Sequence, residues 1–210
     1  KRNVLCIGPA GENLVRFAAI MNDTTRAAAR GGPGAVMGSK NLKAIVVEGD
    51  LRVEMDDKER FRFVQYEATK MLKANPVTSQ AFPEFGTAVM MNIINAIGAL
   101  PAYNFQQTHY DHADAISGEA ITENILVKNA ACWACPIGCT RISKTDMGEN
   151  EGPEYETAWA FGASCGVDDL IAITNANFLC NDLGMDTISA GSTIACAMEL
   201  TERGLLTSDL

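Results

Sequence analysis

Three cysteines within eight positions are the feature that most constrains this chain. Cys132, Cys135 and Cys139 follow the spacing C-x2-C-x3-C. Intervals of two and three residues let a backbone wrap around one centre, so the three thiolates can converge there. We therefore expect residues 130–139 to form a loop around a bound centre, and an iron-sulfur cluster is the preferred interpretation.

Two other uses of these thiols remain open. A structural zinc site needs a second Cys/His pair nearby, but the only histidines, His109 and His112, lie upstream in a polar connection and are interpreted as solvated loop residues. A redox dithiol would need only Cys132 and Cys135 and leaves Cys139 unexplained. A four-iron cluster takes four cysteines. Three further cysteines lie downstream in apolar helical patterns and are expected in the core: Cys165, Cys180 and Cys196. If none of them is the fourth ligand, that ligand lies beyond residue 210.

Composition excludes several classes of protein. The 210 residues carry a net charge of -9 with scattered Lys and Arg, which argues against a nucleic-acid surface. Seven cysteines, three of them clustered, argue against a disulfide framework and favour a reducing compartment, so a cytoplasmic protein is expected. The longest uncharged run, residues 85–110, is interrupted by Asn, Gln and Pro and makes a poor membrane span. Because the chain begins at Lys1, we expect it to be an excerpt of a longer protein.

The N-terminal fifty residues read as two strands around a glycine-rich loop. Residues 4–9 and 43–49 are short apolar runs that end in turn residues. Between them, residues 22–40 contain four glycines and three cations, a combination that suits an anion because glycine admits backbone N–H groups and arginine offers a planar fork. Neither the Walker nor the dinucleotide spacing is present, and a surface turn with solvated cations is the alternative.

After residue 55 the pattern is helical, and no strand is predicted. Helices are expected from Asp56 or Asp57 to residue 74, over residues 85–100 as a buried element, from Asp168 or Asp169 to Gly184, and from Thr187 or Ser189 to Gly204. The fold class is therefore α+β, with a short β-rich part followed by a mainly α-helical domain.

Three carboxylates gather where another helix should begin. Glu151, Glu154 and Glu156 surround Pro153, and negative charge is favourable at a helix N-terminus. Capping explains one or two of the three. A carboxylate that enters a buried site could instead act as a general acid or base.

Five stretches together resemble the tungsten-containing aldehyde ferredoxin oxidoreductase family, in that family's order and over nearly the whole chain. They are residues 8–13, residues 30–43, the cysteine loop, residues 151–156 and residues 181–189. The resemblance implies that residues 1–52 are the end of a β-rich pterin-binding domain. Residues 53–210 would then be most of an α-helical domain that carries the iron-sulfur cysteine loop and is incomplete at its C-terminus.

The resemblance also implies the site residues. Cys132, Cys135 and Cys139 would bind a [4Fe-4S] cluster, and Glu156 matches a glutamate near the metal that could move a proton. Two groups of residues would hold a tungsten or molybdenum bis-pterin cofactor: Arg26, Ala27, Ala29 and Arg30, and Asn181, Gly184, Met185 and Asp186. Asn181 stands where the family usually has Asp.

The implied activity is oxidation of small aldehydes to carboxylic acids, with electrons passed through the cluster to ferredoxin or a similar acceptor. No nucleic-acid or membrane partner is expected, and assembly as a homodimer or as a subunit of a complex fits the family. A bridging metal between subunits is not expected, because Asn175 replaces the glutamate that such members use. The alternatives are a tungsten subunit of a larger reductase, for example of aromatic thioesters, and a non-catalytic zinc or iron-sulfur module.

Overall fold

The computed structural model describes residues 2–51 and 53–206. The predicted α+β organisation is confirmed: small antiparallel sheets combine with several helices. The predicted division at residue 52 lies outside the described residues. Within the described part of the chain, no helix is both long enough and apolar enough to cross a membrane.

The N-terminal part is a four-stranded antiparallel sheet with two short helices. The strands are β1 (Arg2–Ile7), β2 (Ile20–Asn22), β3 (Arg26–Ala28) and β4 (Ala44–Glu48), in the order β3-β2-β1-β4. Helices α1 (Pro9–Glu12) and α2 (Pro33–Ser39) cross closely. A Cβ on Gly38 would lie 2.0 Å from the carbonyl oxygen of Gly11, so one glycine of the predicted anion loop is explained by packing.

Helix α3 (Lys58–Ala74) begins and ends as predicted, because Asp57 caps it by accepting a hydrogen bond from the N–H of Arg60 at 2.9 Å and Asn75 follows its last turn. None of its side chains is buried among the described residues, and Phe61 is 49% exposed. Within the described part of the chain, apolar side chains of α3, among them Phe61, Val64 and Met71, therefore remain exposed.

The prediction of a single buried helix over residues 85–100 is wrong. The chain forms α4 (Phe82–Phe85), a 3-10 turn at Thr87–Val89 and α5 (Met90–Ala96). Gly86, at φ +69° and ψ -171°, breaks the path. A Cβ there would lie 3.1 Å from both the Cγ of Arg141 and the carbonyl oxygen of Cys139, so packing against the cysteine loop imposes the break.

The prediction of no strands after residue 55 is also wrong. Beyond α6 (Gly118–Asn124), an antiparallel sheet of order β5-β6-β7 is formed by β5 (Leu126–Ala130), β6 (Thr140–Thr145) and β7 (Gly148–Glu151). The strands LVKNA, TRISKT and GENE carry mostly polar residues, so hydrophobic periodicity gave no signal. The cysteine loop connects β5 to β6 and is held at both ends by the pair Ala130 and Thr140.

Three C-terminal helices complete the core: α7 (Tyr155–Phe161), α8 (Leu170–Leu183) and α9 (Thr187–Glu202). The predicted limits of α8 are confirmed, with Asp169 as its N-cap and left-handed Gly184 as its C-cap. Helix α9 is capped by Asp186, one residue before the predicted start. The main core cluster combines these helices with α5, and its large side chains include Met91, Leu100, Tyr110, Trp159, Phe161 and Ile173.

A short backbone pairing joins the N-terminal part to the turn between α8 and α9. The N–H of Ala19 donates to the carbonyl of Gly184 at 2.8 Å, and the N–H of Asp186 donates to the carbonyl of Phe17 at 3.0 Å. At the same junction a Cβ on Gly8 would lie 2.2 Å from the carbonyl oxygen of Leu183. Strand β3 and the α8–α9 turn are thereby placed on either side of one cavity.

Candidate cofactor site and cysteine loop

A cavity of about 150 Å³ lies where the two parts of the chain meet. Its walls come from the β3 region, the β7–α7 connection and the α8–α9 region. Six of the eight residues predicted to contact a pterin line it. The lining consists of Thr25, Arg26, Ala27, Ala29, Glu151, Gly152, Glu154, Thr157, Asn177, Asn181, Met185, Asp186 and Thr187.

Arg26 connects this cavity to the cysteine loop. Its Nη2 donates to the Oγ1 of Thr140 at 2.8 Å and lies 2.7 Å from the Oε1 of Glu151. Thr140 directly follows Cys139 in the sequence. The arginine of the N-terminal loop and the third cysteine are therefore neighbours, although more than a hundred residues separate them.

Glu154 is the carboxylate placed between these two features. The Oγ1 of Thr87 donates a short hydrogen bond to its Oε2, and the N–H of Tyr155 donates to the same Oγ1 at 3.0 Å. Burial raises the pKa of Glu154, and the charge of Glu151 raises it further, whereas the Thr87 hydrogen bond and Arg26 lower it. Glu154 occupies the N-cap position of α7, but its side chain makes no capping hydrogen bond to the helix, so side-chain capping does not account for it.

Asp186 serves both helix α9 and the cavity. It is 3% exposed, and its Oδ2 accepts from the N–H of Ser189 at 2.9 Å and from the Ser189 Oγ at 2.5 Å. Its own N–H is paired with Phe17, so the aspartate is fixed from both sides of the junction. A side chain held this firmly presents a preorganised polar edge to the cavity.

Two predicted pterin residues and the predicted catalytic residue lie elsewhere. Gly184 sets the turn, at φ +71°, but does not line the cavity. Arg30 is exposed and lines a neighbouring open depression of about 500 Å³ with hydroxyl groups of α9, among them Ser189 and Ser192. Glu156 is exposed on α7 and is not among the lining residues.

The cysteine loop holds its thiols near the surface. Cys132 is exposed, Cys135 and Cys139 are partly exposed, and the N–H of Cys135 donates to the carbonyl of Cys132 at 3.0 Å. Ala134 and Gly138 take positive φ values of 59° and 74°, which turn the chain around the thiols. Over residues 2–51 and 53–206, no three His, Cys, Asp or Glu side chains form a metal-binding group.

The other cysteines differ from these three. Cys165 and Cys180 are buried as expected, and burial raises the pKa of each thiol to about 11. Cys196, which was expected in the core, is exposed. Burial also raises the pKa of Cys139, and the charge of Glu154 raises it further.

Sequence reasoning missed part of the cavity wall. Glu151 and Glu154 were visible as members of an unexplained carboxylate cluster, and that cluster was the available signal. Thr157 and Asn177 carry no such signal, because each looks like an ordinary helix residue. The Nδ2 of Asn177 donates to the carbonyl of Glu151 at 2.9 Å, a contact that only the fold creates.

Comparisons with known proteins cover the whole chain. Residues 1–49 match the family model described as the N-terminal domain of aldehyde ferredoxin oxidoreductase, and residues 64–210 match the model described as domains 2 and 3. The chain is 54% identical over 210 residues to the tungsten-containing aldehyde ferredoxin oxidoreductase of Thermococcus kodakarensis, covering 100% of this chain and 35% of that protein. The Pyrococcus furiosus protein of the same name is 55% identical over 205 residues, covering 97% and 34%.

A second Pyrococcus furiosus protein, the WOR-like subunit of an aliphatic sulfonate oxidoreductase, is 34% identical over 213 residues, covering 98% of this chain and 34% of that protein. Among solved structures, the active-site complex BamBC of benzoyl coenzyme A reductase, bound to 1,5-dienoyl-CoA, matches with a TM-score of 0.74 and 23% identity. That match covers 99% of this chain and 33% of the other and supports the fold. The chain spans about a third of the length of the relatives it matches.

Proposed function

The chain belongs to the aldehyde ferredoxin oxidoreductase family, and from that premise we propose that it is part of a tungsten enzyme that oxidises aldehydes to carboxylic acids. The observation that carries this proposal is the contact of Arg26 with Thr140, which sets a polar cavity beside the cysteine loop. A cofactor in the cavity and a cluster on the loop would then be close enough to exchange electrons.

The cavity's donor and acceptor groups fit a pterin. Asn181, Asp186 and Glu154 offer amide and carboxylate oxygens, which suit the N–H groups of a pterin ring. Arg30, on the hydroxyl-rich face of α9, suits a phosphate. When bound, the tungsten or molybdenum held by dithiolene sulfurs supplies two-electron chemistry.

The cysteine loop's donors fit an iron-sulfur cluster. Its three candidate ligands are all thiols, and soft sulfur donors favour iron-sulfur clusters and zinc over hard cations. Cys132, Cys135 and Cys139 would be three ligands of a [4Fe-4S] cluster, with a fourth cysteine predicted beyond residue 210. The two strands that flank the loop fix its ends, so ligand binding need reorganise only the loop itself.

The chain's own residues would handle the protons that aldehyde oxidation releases. Glu156 is the proposed proton-transfer residue, on a face of α7 that is exposed here. Glu154 is the second carboxylate of this helix start, and its burial lets it hold a proton at higher pH than an ordinary glutamate. Arg26, bound to Glu151, would orient groups in the cavity and keep the cluster loop in place.

Ferredoxin or a similar protein is the proposed electron acceptor, a small aldehyde is the proposed substrate, and the cytoplasm is the proposed location. A homodimer or a place in a larger complex is compatible with the family. In either assembly we propose no bridging metal at Asn175, whose Nδ2 donates to the Oδ1 of Asp146 at 2.9 Å.

Metal analysis of the full-length protein, purified without oxygen, tests the proposal. We expect tungsten or molybdenum together with iron, and aldehyde-dependent reduction of a viologen dye. A protein that contains neither tungsten nor molybdenum would refute the proposed enzyme, and one that contains zinc alone would support the structural module.

A second candidate is a tungsten subunit of a larger complex with another substrate. It is favoured by the 34% identity to a sulfonate oxidoreductase subunit. Parallel assays with short aldehydes, alkyl sulfonates and aryl thioesters distinguish these reactions, since the 54% identical relatives lead us to expect turnover of the aldehydes first.

A further inference from the structure

A buried arginine lies next to the cysteine loop, outside the cavity and outside the predicted set of cluster ligands. Arg141 lies on β6, two residues after Cys139, and is 2% exposed. Its guanidinium donates five hydrogen bonds, all to backbone carbonyl oxygens. The acceptors are Phe82 at 3.2 Å, Pro83 at 2.6 Å, Glu84 at 2.9 Å, Gly138 at 3.1 Å and Cys139 at 3.3 Å.

These bonds tie the cysteine loop to the end of α4. Three acceptors belong to α4 and two belong to the loop, so one side chain fixes the distance between them. Gly86 leaves the room for it, because a Cβ there would lie 3.2 Å from the Nε of Arg141. Arg141 is therefore closely packed between α4, Gly86 and the cysteine loop.

The charge of Arg141 is not neutralised by any direct partner. Within the part of the chain that the structure describes, it forms no salt bridge, and its acceptors are all peptide carbonyls. Burial lowers its pKa, whereas the nearby Cys139 and Glu154 raise it. An arginine remains protonated in such a setting, so a fixed positive charge is held inside the protein.

A buried and unpaired charge is costly, and the carbonyl dipoles offset only part of that cost. Two acidic groups face the guanidinium, the thiol of Cys139 and the carboxyl of Glu154. A cluster held by thiolates would add net negative charge on the Cys139 side, and that charge increases on reduction. A fixed cation beside it favours the reduced form, because the attraction is weakly screened away from water.

We propose that the fixed charge of Arg141 raises the reduction potential of the cluster bound by the cysteine loop. The inference rests on the proposed cluster but not on the substrate. Arg141 is not a ligand of the cluster, and it does not line the pterin cavity.

The test compares three variants of the full-length protein, purified without oxygen. Arg141→Met removes the charge, Arg141→Lys keeps the charge but loses the fork, and Arg203→Met is the matched control. Arg203 is exposed and pairs with Glu199 on α9, away from the loop. Iron per chain and the cluster's potential, followed by electron paramagnetic resonance in a redox titration, are the readouts.

We expect Arg141→Met to lower the potential by at least about 59 mV, a tenfold change in the oxidised-to-reduced ratio of a one-electron couple. Arg141→Lys and Arg203→Met should stay much closer to the wild type. An iron-loaded Arg141→Met protein with the wild-type potential overturns the inference, as does an Arg141→Lys protein that falls as far as Arg141→Met.

If Arg141→Met loses its iron, its potential cannot be measured, and the Arg141→Lys variant then tests the inference. If the lysine variant retains iron and the wild-type potential, the charge is what the cluster requires, and the inference holds. If it also loses iron, the hydrogen-bonding fork alone matters, and the inference fails. A wild-type protein without iron would instead refute the proposed function itself, so the two failures are distinguishable.

Discussion

Gly8→Ala should loosen the junction on which the cavity depends. Gly8 has φ -86° and ψ -173°, a conformation open to any residue, so only space determines the effect. The new Cβ would lie 2.2 Å from the carbonyl oxygen of Leu183 and 2.8 Å from the N of Gly184. Cβ atoms essentially never approach other atoms closer than 3.0 Å, so the α8–α9 turn or the β1–α1 turn must move.

The cost of this overlap can be bounded. Overpacking against atoms that cannot rotate away costs about 1–3 kcal/mol. The loss of glycine's freedom in the unfolded chain returns roughly 0.4–1 kcal/mol. The net destabilisation lies between about 0 and 2.6 kcal/mol and centres on about 1.3 kcal/mol. At about 2–4 °C per kcal/mol for a folding unit of about 150–250 residues, the melting temperature of this unit should fall by about 3–5 °C.

Calorimetry and tungsten analysis of the full-length protein test this prediction together. The displaced turn contains Met185 and Asp186, so cofactor retention should fall along with the melting temperature. Gly49→Ala is the matched control, because a Cβ there meets no atom within 4 Å and should change stability by less than about 0.5 kcal/mol. A Gly8→Ala protein that melts like the Gly49→Ala protein and keeps its tungsten would refute the reasoning.

Three further predictions concern the cavity and the thiols. Arg26→Gln should lower tungsten content, measured by elemental analysis against wild type, and unchanged content would contradict a cofactor role. It should also cost some stability, because Glu151, whose side chain is only 11% exposed, loses its cation. Burial raises the pKa of Glu154, so the native state loses stability as pH rises from the ordinary glutamate pKa through the raised one. Glu154→Gln should therefore gain relative stability across that window in denaturant titrations at stepped pH, and a pH-independent difference would be the wrong outcome. In the metal-free chain, iodoacetamide should alkylate Cys132 readily, and Cys165 and Cys180 only after unfolding; mass spectrometry showing equal rates would contradict the assigned burial.

The helix ends could be predicted from sequence because their signals are local. Asp57, Asp169 and Gly184 each act within one turn of their own helix, by hydrogen bonding or by a left-handed conformation. The break at Gly86 was not predictable in this way, since it results from packing against Arg141 and Cys139.

The second sheet escaped prediction for a different reason. Strand β6 buries Thr140, Arg141 and Ser143, so its inward positions are polar and show no hydrophobic alternation. Such strands are stabilised by hydrogen bonds to distant segments, and no local sequence pattern indicates which segments these are. Arg141, whose five acceptors lie on two segments nearly sixty residues apart, is the clearest case.

The site was predictable as a set of segments but not as an arrangement. Family-like motifs pointed to residues 26–30 and 181–186, whereas Thr157 and Asn177 enter the cavity only through the packing of α7 and α8. Glu151 and Glu154 line the cavity, whereas Glu156 does not, because the start of α7 turns Glu154 inward and leaves Glu156 exposed.

The central claim is that the cavity and the cysteine loop hold two redox groups side by side, joined through Arg26 and Thr140. Electron paramagnetic resonance of the partly reduced full-length protein tests it most directly. The account predicts a tungsten signal that is split or broadened by magnetic interaction with a reduced iron-sulfur cluster. Two signals that relax independently, or a tungsten signal with no cluster nearby, would contradict it.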